Sequence, residues 1–230
     1  MRFVARQFAG APLTLGLLIS WVLFEILRVT VFHASDIVYQ ICGLSWHGLT
    51  SYMLWQPFTY AFFHGDWVHL TMNGLLLLAV GSRLEWMIGQ RSCGMIMLGG
   101  ALLGGVLHLG FSPNTLVGGS GAVFAVLLCA TTLSPESRWL VPFPVSARNL
   151  GLGILSASLL LFLMNPALGI PGLSSLGEYL EQTGFGHLFG ISHACHFGGA
   201  VAGWLGARWI LRTRVSLTDL QRDRERREES

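Results

Sequence analysis

Long apolar runs alternate with polar, glycine-rich or proline-rich stretches along this chain. Six such runs cover roughly residues 11–33, 66–82, 92–111, 119–133, 149–166 and 188–210. A helix needs about 20 apolar residues to cross a bilayer core, so the pattern predicts six membrane spans. The connections differ in kind. Residues 34–65 are long, aromatic and mixed, too irregular for a span. Residues 134–148 are punctuated by proline, and 167–187 are rich in Gly and Pro. The expected architecture is an all-α polytopic membrane protein, a six-transmembrane-helix bundle forming a single membrane domain over 1–230. Residues 211–230 form a charged tail, and no internal repeat or second domain is visible.

Composition excludes the main alternatives. The 230 residues are 52% hydrophobic and 11% charged, against roughly 25% charged in a soluble domain. That is too little polar surface for a soluble globule or a disordered chain. The mean hydropathy of +0.58 agrees. The net charge of +2 names no partner. The tail interleaves both signs after a long apolar run, which reads as a solvated membrane flank, and no nucleic-acid partner is expected. Four cysteines, Cys42, Cys93, Cys129 and Cys195, show no metal spacing and are too few for a disulfide scaffold. The first apolar run is long enough to span and lacks an obvious small-residue cleavage site, so it does not read as a cleavable signal.

Charge also orients the spans. All fourteen basic residues are Arg, and thirteen of them lie in the termini or in the second and fourth loops. The exception, Arg28, lies inside the first span. The positive-inside rule then places both termini in the cytoplasm and loops 34–65, 112–118 and 167–187 outside. The fourth span is short, about 15 residues or roughly 22 Å. Its outer end, Val117-Gly118-Gly119-Ser120-Gly121, must lie below the outer surface, where irregular backbone survives only in protein or beside a water-filled cavity.

Polar groups on three spans fall at one depth. At 1.5 Å per residue, Ser120 lies about 21 Å above Ser134, His69 about 21 Å and Asn73 about 15 Å above Arg83, and His196 about 18 Å above Arg208. Polar residues inside a membrane are functional candidates by default. A serine hydroxyl needs a base to become a nucleophile, and neutral imidazole is the usual one. Acyl transfer also needs donors for the oxyanion. Ser120 opens a helix with free N–H groups, and His69 and Asn73, four apart, share a helix face. Gly118, Gly119 and Gly121 permit a sharp turn and close approach. Gly199 and Gly203 form GxxxG just after His196 and would bring the sixth span against the fourth. Phe124 would then stack on the His196 ring.

In this order the motifs HGDWVHLTMN at 64–73, Gly81-x-x-x-Glu85 with Gly89, GGSG at 118–121 and HFGG-x-x-x-G at 196–203 resemble the rhomboid family of intramembrane serine proteases. The resemblance runs from about residue 10 to 210. It implies a rhomboid-like six-span fold and a serine-type endopeptidase that cleaves transmembrane segments of protein substrates in the bilayer, without cofactor. Ser120 matches the family nucleophile and His196 its general base, a dyad with no third acid. His69, Asn73 and the Ser120 N–H match the oxyanion hole. His64 matches a structural histidine, Phe124 an aromatic against the catalytic ring and Glu85 a structural acid. Residues 167–187 match the cap over the site and 34–65 the embedded first loop. That loop departs from some members in carrying Trp55-Gln56 where they have Trp-Arg. A bacterial plasma membrane is the simplest location for so short a chain.

Plainer readings exist for each residue. Ser120 could be a helix cap, His196 an interhelical hydrogen-bonding group and Asn73 a helix glue. His193 and His196 form HxxH, but without HExxH or a third ligand no metal site is expected; His193 reads as a packing or cavity residue. Glu25 and Arg28, spaced i, i+3, read as a local ion pair or a lipid-interface contact, with no assigned role. His33, His47, His108 and His187 receive no role, and Cys195 none as a nucleophile. Two other functions compete with the protease. A client-binding relative would characteristically have lost Ser120 or His196. A transporter or channel would need a continuous polar path, and the cytoplasmic halves of the spans are apolar.

Overall fold

A computed structural model describes residues 10–141 and 143–212. The expected tail beyond residue 212 and the amino-terminal Arg2 and Arg6 lie outside the described residues. The fold is almost wholly helical. In chain order the elements are α1 (Pro12–Thr30), the short helices α2 (Ile37–Cys42), α3 (Trp46–Thr50) and α4 (Gln56–Thr59), then α5 (Trp67–Leu76), α6 (Ser82–Ile88), α7 (Gln90–Phe111), α8 (Ser120–Leu133), α9 (Ala147–Leu163), α10 (Leu173–Leu180) and α11 (His193–Leu211). A wide π turn, Leu77–Gly81, joins α5 to α6, so the second apolar run is one helical rod with a local widening. Among the described residues two helices, α1 and α7, are long and apolar enough to cross a membrane on length and composition; α8 and α9 are shorter apolar helices.

The centre of the fold is α8. Its 14 residues give a length of about 21 Å. Residues Ser120 to Val123 and Ala125 to Thr131 are all buried, and a helix apolar on every side belongs in the middle of a bundle. Small residues let α7 and α11 close on it. A Cβ on Gly199 would run into the Gly121 carbonyl, and one on Gly203 into the Ala125 carbonyl. A Cβ on Gly100 of α7 would meet Ala125, and one on Gly198 would lie 2.8 Å from the Leu103 carbonyl. The three backbones therefore touch, as glycine-rich membrane interfaces allow.

The amino end of α1 has an acid for a cap. Glu85 of α6, itself buried, accepts hydrogen bonds from Leu13 N (2.9 Å) and Thr14 N (2.8 Å). These donors have no partner within their own helix, and a carboxylate there also meets the positive end of the helix dipole. Glu85→Ala is expected to destabilise the protein by about 2–3 kcal/mol, because one buried and one partly buried N–H lose their acceptor. Thermal unfolding in detergent checks it; an unchanged midpoint would remove this cap from the account.

The connections carry more structure than their sequence predicts. Residues 34–65 hold three short helices and a 3₁₀ turn, Tyr60–Phe62. Buried Gln56 pins them: its Oε1 accepts from Ser45 N at 3.1 Å, and its Nε2 donates to the Gln40 carbonyl at 3.0 Å. Trp55 Nε1 donates to the Ile41 carbonyl at 2.8 Å. Trp55-Gln56 therefore anchors this loop through neutral hydrogen bonds. The stretch expected as a proline-punctuated loop forms a hairpin, Arg138–Val141 antiparallel to Phe143–Ser146. A two-stranded hairpin is all edge, so Pro144 costs it little. Arg83 stacks over the Trp139 ring at 5.6 Å and ties the hairpin to α6. The Gly- and Pro-rich stretch 167–187 contains α10.

Candidate active site

Ser120 is the first residue of α8, after a turn that only glycine makes without strain. Gly118 has φ of 122°, a conformation rarely open to L side chains. Its N–H donates to the Tyr60 carbonyl at 3.0 Å, and an isolated bridge pairs Leu44 with Leu116 just before it. Trp21 of α1 fills the space a side chain at Gly119 would need. The turn is thus held from the first loop and from α1, and Ser120 is 6% exposed.

His196 lies in the first turn of α11. The contacts Gly199–Gly121 and Gly203–Ala125 run in parallel register, so one turn earlier on α11 the imidazole reaches the level of the Gly118–Ser120 turn. Its ring stacks on Phe124, with centroids 4.1 Å apart and planes at 13°. His193 meets it edge-on at 5.7 Å and bonds through Nε2 to the Leu188 carbonyl at 2.8 Å. No hydrogen bond links Ser120 Oγ to His196. Such contacts are often long until substrate binds.

His69 comes to the same turn from α5. A Cβ on Gly118 would lie 2.7 Å from His69 Cε1 and 3.0 Å from Nε2, so the imidazole lies directly against that glycine. Asp66 caps α5, accepting from His69 N at 2.7 Å. Asn73, one turn further, is buried, and its Nδ2 has no hydrogen-bond partner. The same holds among the described residues for Thr14 Oγ1, Trp21 Nε1 and both His64 ring nitrogens, so Asn73 Nδ2 is one of several buried polar atoms here that are free to bond. His64 is fully buried, edge-on to Trp21 at 4.9 Å and to His69 at 5.2 Å.

Of the residues expected at the site, Ser120, the three glycines of its turn, His69, His196, Phe124, Gly199 and Gly203 come together around one end of α8. Asn73 and His64 flank His69. Cys195 is fully buried, its thiol against Ser120 and Tyr60. Among the described residues no three His, Cys, Asp or Glu side chains group closely enough to hold a metal ion.

The structure also adds a residue that sequence reasoning left without a role. His108, in the last turn of α7, pairs through Nδ1 with Ser192 Oγ and through Nε2 with the Asn114 carbonyl, both at 2.8 Å. Ser192 in turn caps α11 by accepting from Cys195 N at 3.2 Å. His108 thereby joins α7, the loop before Ser120 and the start of the His196 helix. Ser192 is distant in sequence and the Asn114 contact is to a backbone carbonyl past the helix end, so no local spacing marks His108.

Comparison with known proteins follows the same residues. The sequence matches the Rhomboid domain family over residues 51–213, more than half of the chain. It is 28% identical over 142 residues to Rhomboid protein 1, mitochondrial, of Saccharomyces cerevisiae, covering 49% of this chain and 41% of that protein. It is 35% identical over 111 residues to RHOMBOID-like protein 4 of Arabidopsis thaliana, covering 44% of this chain and 28% of that protein. The chain thus spans less than half the length of these curated relatives. Both are eukaryotic, so they lend no support to a bacterial membrane in particular. The family match takes in all four motifs whole and every residue around this end of α8 except Trp21 and Leu44: the chain belongs to the rhomboid family.

Proposed function

We propose that this chain is an intramembrane serine endopeptidase that cuts transmembrane segments of membrane proteins with a Ser120–His196 dyad. The observation that carries the proposal is the arrangement of His196. It is stacked on Phe124 of the Ser120 helix, with Gly199 pressed on Gly121 one turn below and His69 against Gly118 of the same turn. In this reading a hydroxyl, a base and a donor, each from a different helix, serve one site, as acyl transfer requires.

The chemistry follows from these positions. Ser120 Oγ attacks the scissile carbonyl carbon while its proton passes to His196. The tetrahedral oxyanion takes hydrogen bonds from the Ser120 N–H, a His69 ring N–H and Asn73 Nδ2. The C–N bond then breaks, and the His196 imidazolium gives its proton to the leaving amine. Water attacks the acyl-enzyme with His196 again as base, which releases the acid and restores Ser120. Phe124 and the glycine contacts limit the His196 ring to small excursions, so little reorganisation is needed.

In this reading the domain has six spans: α1, the α5–α6 rod, α7, α8, α9 and α11. The Arg-rich connections set both termini in the cytoplasm. Substrates would be single-span proteins that unwind locally at the site, with small residues at the cut. Residues 167–187 would cover the site from outside.

A fluorophosphonate probe tests the nucleophile. With the chain in liposomes, peptide mass spectrometry should place the adduct on Ser120 and nowhere else. An unlabelled wild type of intact fold would overturn the reading in favour of a client-binding protein. Asn73→Ala removes one oxyanion donor and is expected to lower kcat by about 10²–10³-fold, with KM much less affected. Steady-state cleavage of a transmembrane substrate reads this directly, and equal loss in kcat and substrate affinity would reassign Asn73 to substrate binding.

A further inference from the structure

The ion pair in α1 does more than neutralise itself. Glu25 and Arg28 are 1% and 7% exposed. The guanidinium grips the carboxylate twice, Nη2 to Oε1 at 2.6 Å and Nε to Oε2 at 3.1 Å. An exposed i, i+3 pair would be a surface detail. A covered pair in an apolar helix carries a desolvation cost that its own attraction does not reliably offset. What covers it is informative. After α1 the chain turns back through His33 and Ala34, both at positive φ, with Ala34 N donating to the Arg28 carbonyl at 3.0 Å. The returning segment lays the Tyr39 ring 5.2 Å from the Arg28 guanidinium.

Tyr39 connects this pair to the site. Its hydroxyl donates to the His64 carbonyl at 2.6 Å and lies 3.2 Å from the Gly65 carbonyl. The next residue, Asp66, caps α5 through His69 N. Burial pushes the Tyr39 phenol above its ordinary value, so it remains a donor at any physiological pH. Trp21 lies four residues before Glu25 and seven before Arg28, on the same face of α1. It packs edge-on against the His64 ring and on Gly119. One stripe of α1 therefore grips the His64–Gly65 turn twice, by a ring and by a charge-seated tyrosine.

We propose that Arg28, held by Glu25, and Tyr39 are positioning residues that fix the His64–Gly65 turn and through it the His69 imidazole against Gly118. The proposal rests on the oxyanion role of His69. The test uses the full chain in liposomes with two variants: Tyr39→Phe, which keeps the ring and loses the hydroxyl, and Glu25→Leu with Arg28→Met, which removes both charges together and leaves neither stranded.

Two readouts are taken beside the thermal midpoint. Hydrogen exchange at amides 65–70 should quicken several-fold in both variants, with α7, α8 and α11 unchanged. kcat should fall about tenfold in each, with KM within about twofold, since misplacing a positioned donor costs turnover more than binding. Combining the variants should add little, because they act through one contact. Unchanged exchange at 65–70 in Tyr39→Phe overturns the proposal, as does a kcat loss matched by an equal fall in folded protein. If the wild type cuts no substrate, the protease reading fails, while the exchange data still decide whether the clamp exists.

Discussion

Ser120→Ala and His196→Ala are each expected to lower cleavage of a transmembrane substrate by at least about a thousandfold, with the chain still folded. The nucleophile and its base act as one unit, and in serine hydrolases removing either costs nearly as much as removing both. The double variant should therefore be no slower than the singles. Ser120→Ala keeps the backbone N–H at the start of α8 and removes one oxygen, so its thermal midpoint should match the wild type. His196→Ala also loses the Phe124 stack, a contact of about 0.5–1.5 kcal/mol. It should melt a few degrees lower without unfolding at working temperature. Initial rates in liposomes, with circular dichroism on the same samples, separate chemistry from folding. Cleavage by His196→Ala near the wild-type rate would sink the dyad, and equal cleavage in all variants would point to a contaminating protease.

Gly199→Leu should produce the largest structural effect. The Gly199 Cα faces the Gly121 backbone so closely that even a Cβ would overlap its carbonyl. A flexible side chain could swing away from such a clash; a helix backbone buried on all sides cannot. α11 must retreat from α8, which opens the glycine seam and draws His196 away from Ser120. The expected cost is about 3 kcal/mol or more, with activity lost even in the fraction that remains folded. Gly153 of α9 is the control: a Cβ there meets nothing within 4 Å. Gly153→Ala should be neutral or stabilising by up to about 1 kcal/mol, because alanine favours the helix. Thermal melts of both read the contrast. A Gly199→Leu protein as stable as wild type would mean that α8 and α11 do not pack through this contact.

Local rules are legible where a residue's position depends on its own helix. The serine at the head of a short apolar helix, the His69–Asn73 pair on one face and the GxxxG after His196 are all visible as spacings. The expected stack of Phe124 on His196 followed from adding i+4 geometry to a helix crossing, and the structure has it. Residues 34–65 were not readable in this way. Helices of four to six residues are too short for periodicity, and they exist here because buried Gln56 and Trp55 bond to distant carbonyls. The hairpin at 138–146 was hidden by its prolines. Glu85 looked like an acid near a helix end, and only the arrival of α1 shows what it caps.

By itself, then, the sequence determined the membrane character, the apolar runs and the residue types its motifs offer. These follow from composition, from 1.5 Å of rise per residue and from the rarity of polar groups in lipid. Tertiary structure decided which of them meet. The Tyr39 hydroxyl on the His64–Gly65 turn, His108 between Asn114 and Ser192, and His69 against Gly118 join residues that no local period relates. Helical repeat carries information over a few turns, whereas these contacts depend on how whole helices cross, and the crossings are set by where glycine lets two backbones touch.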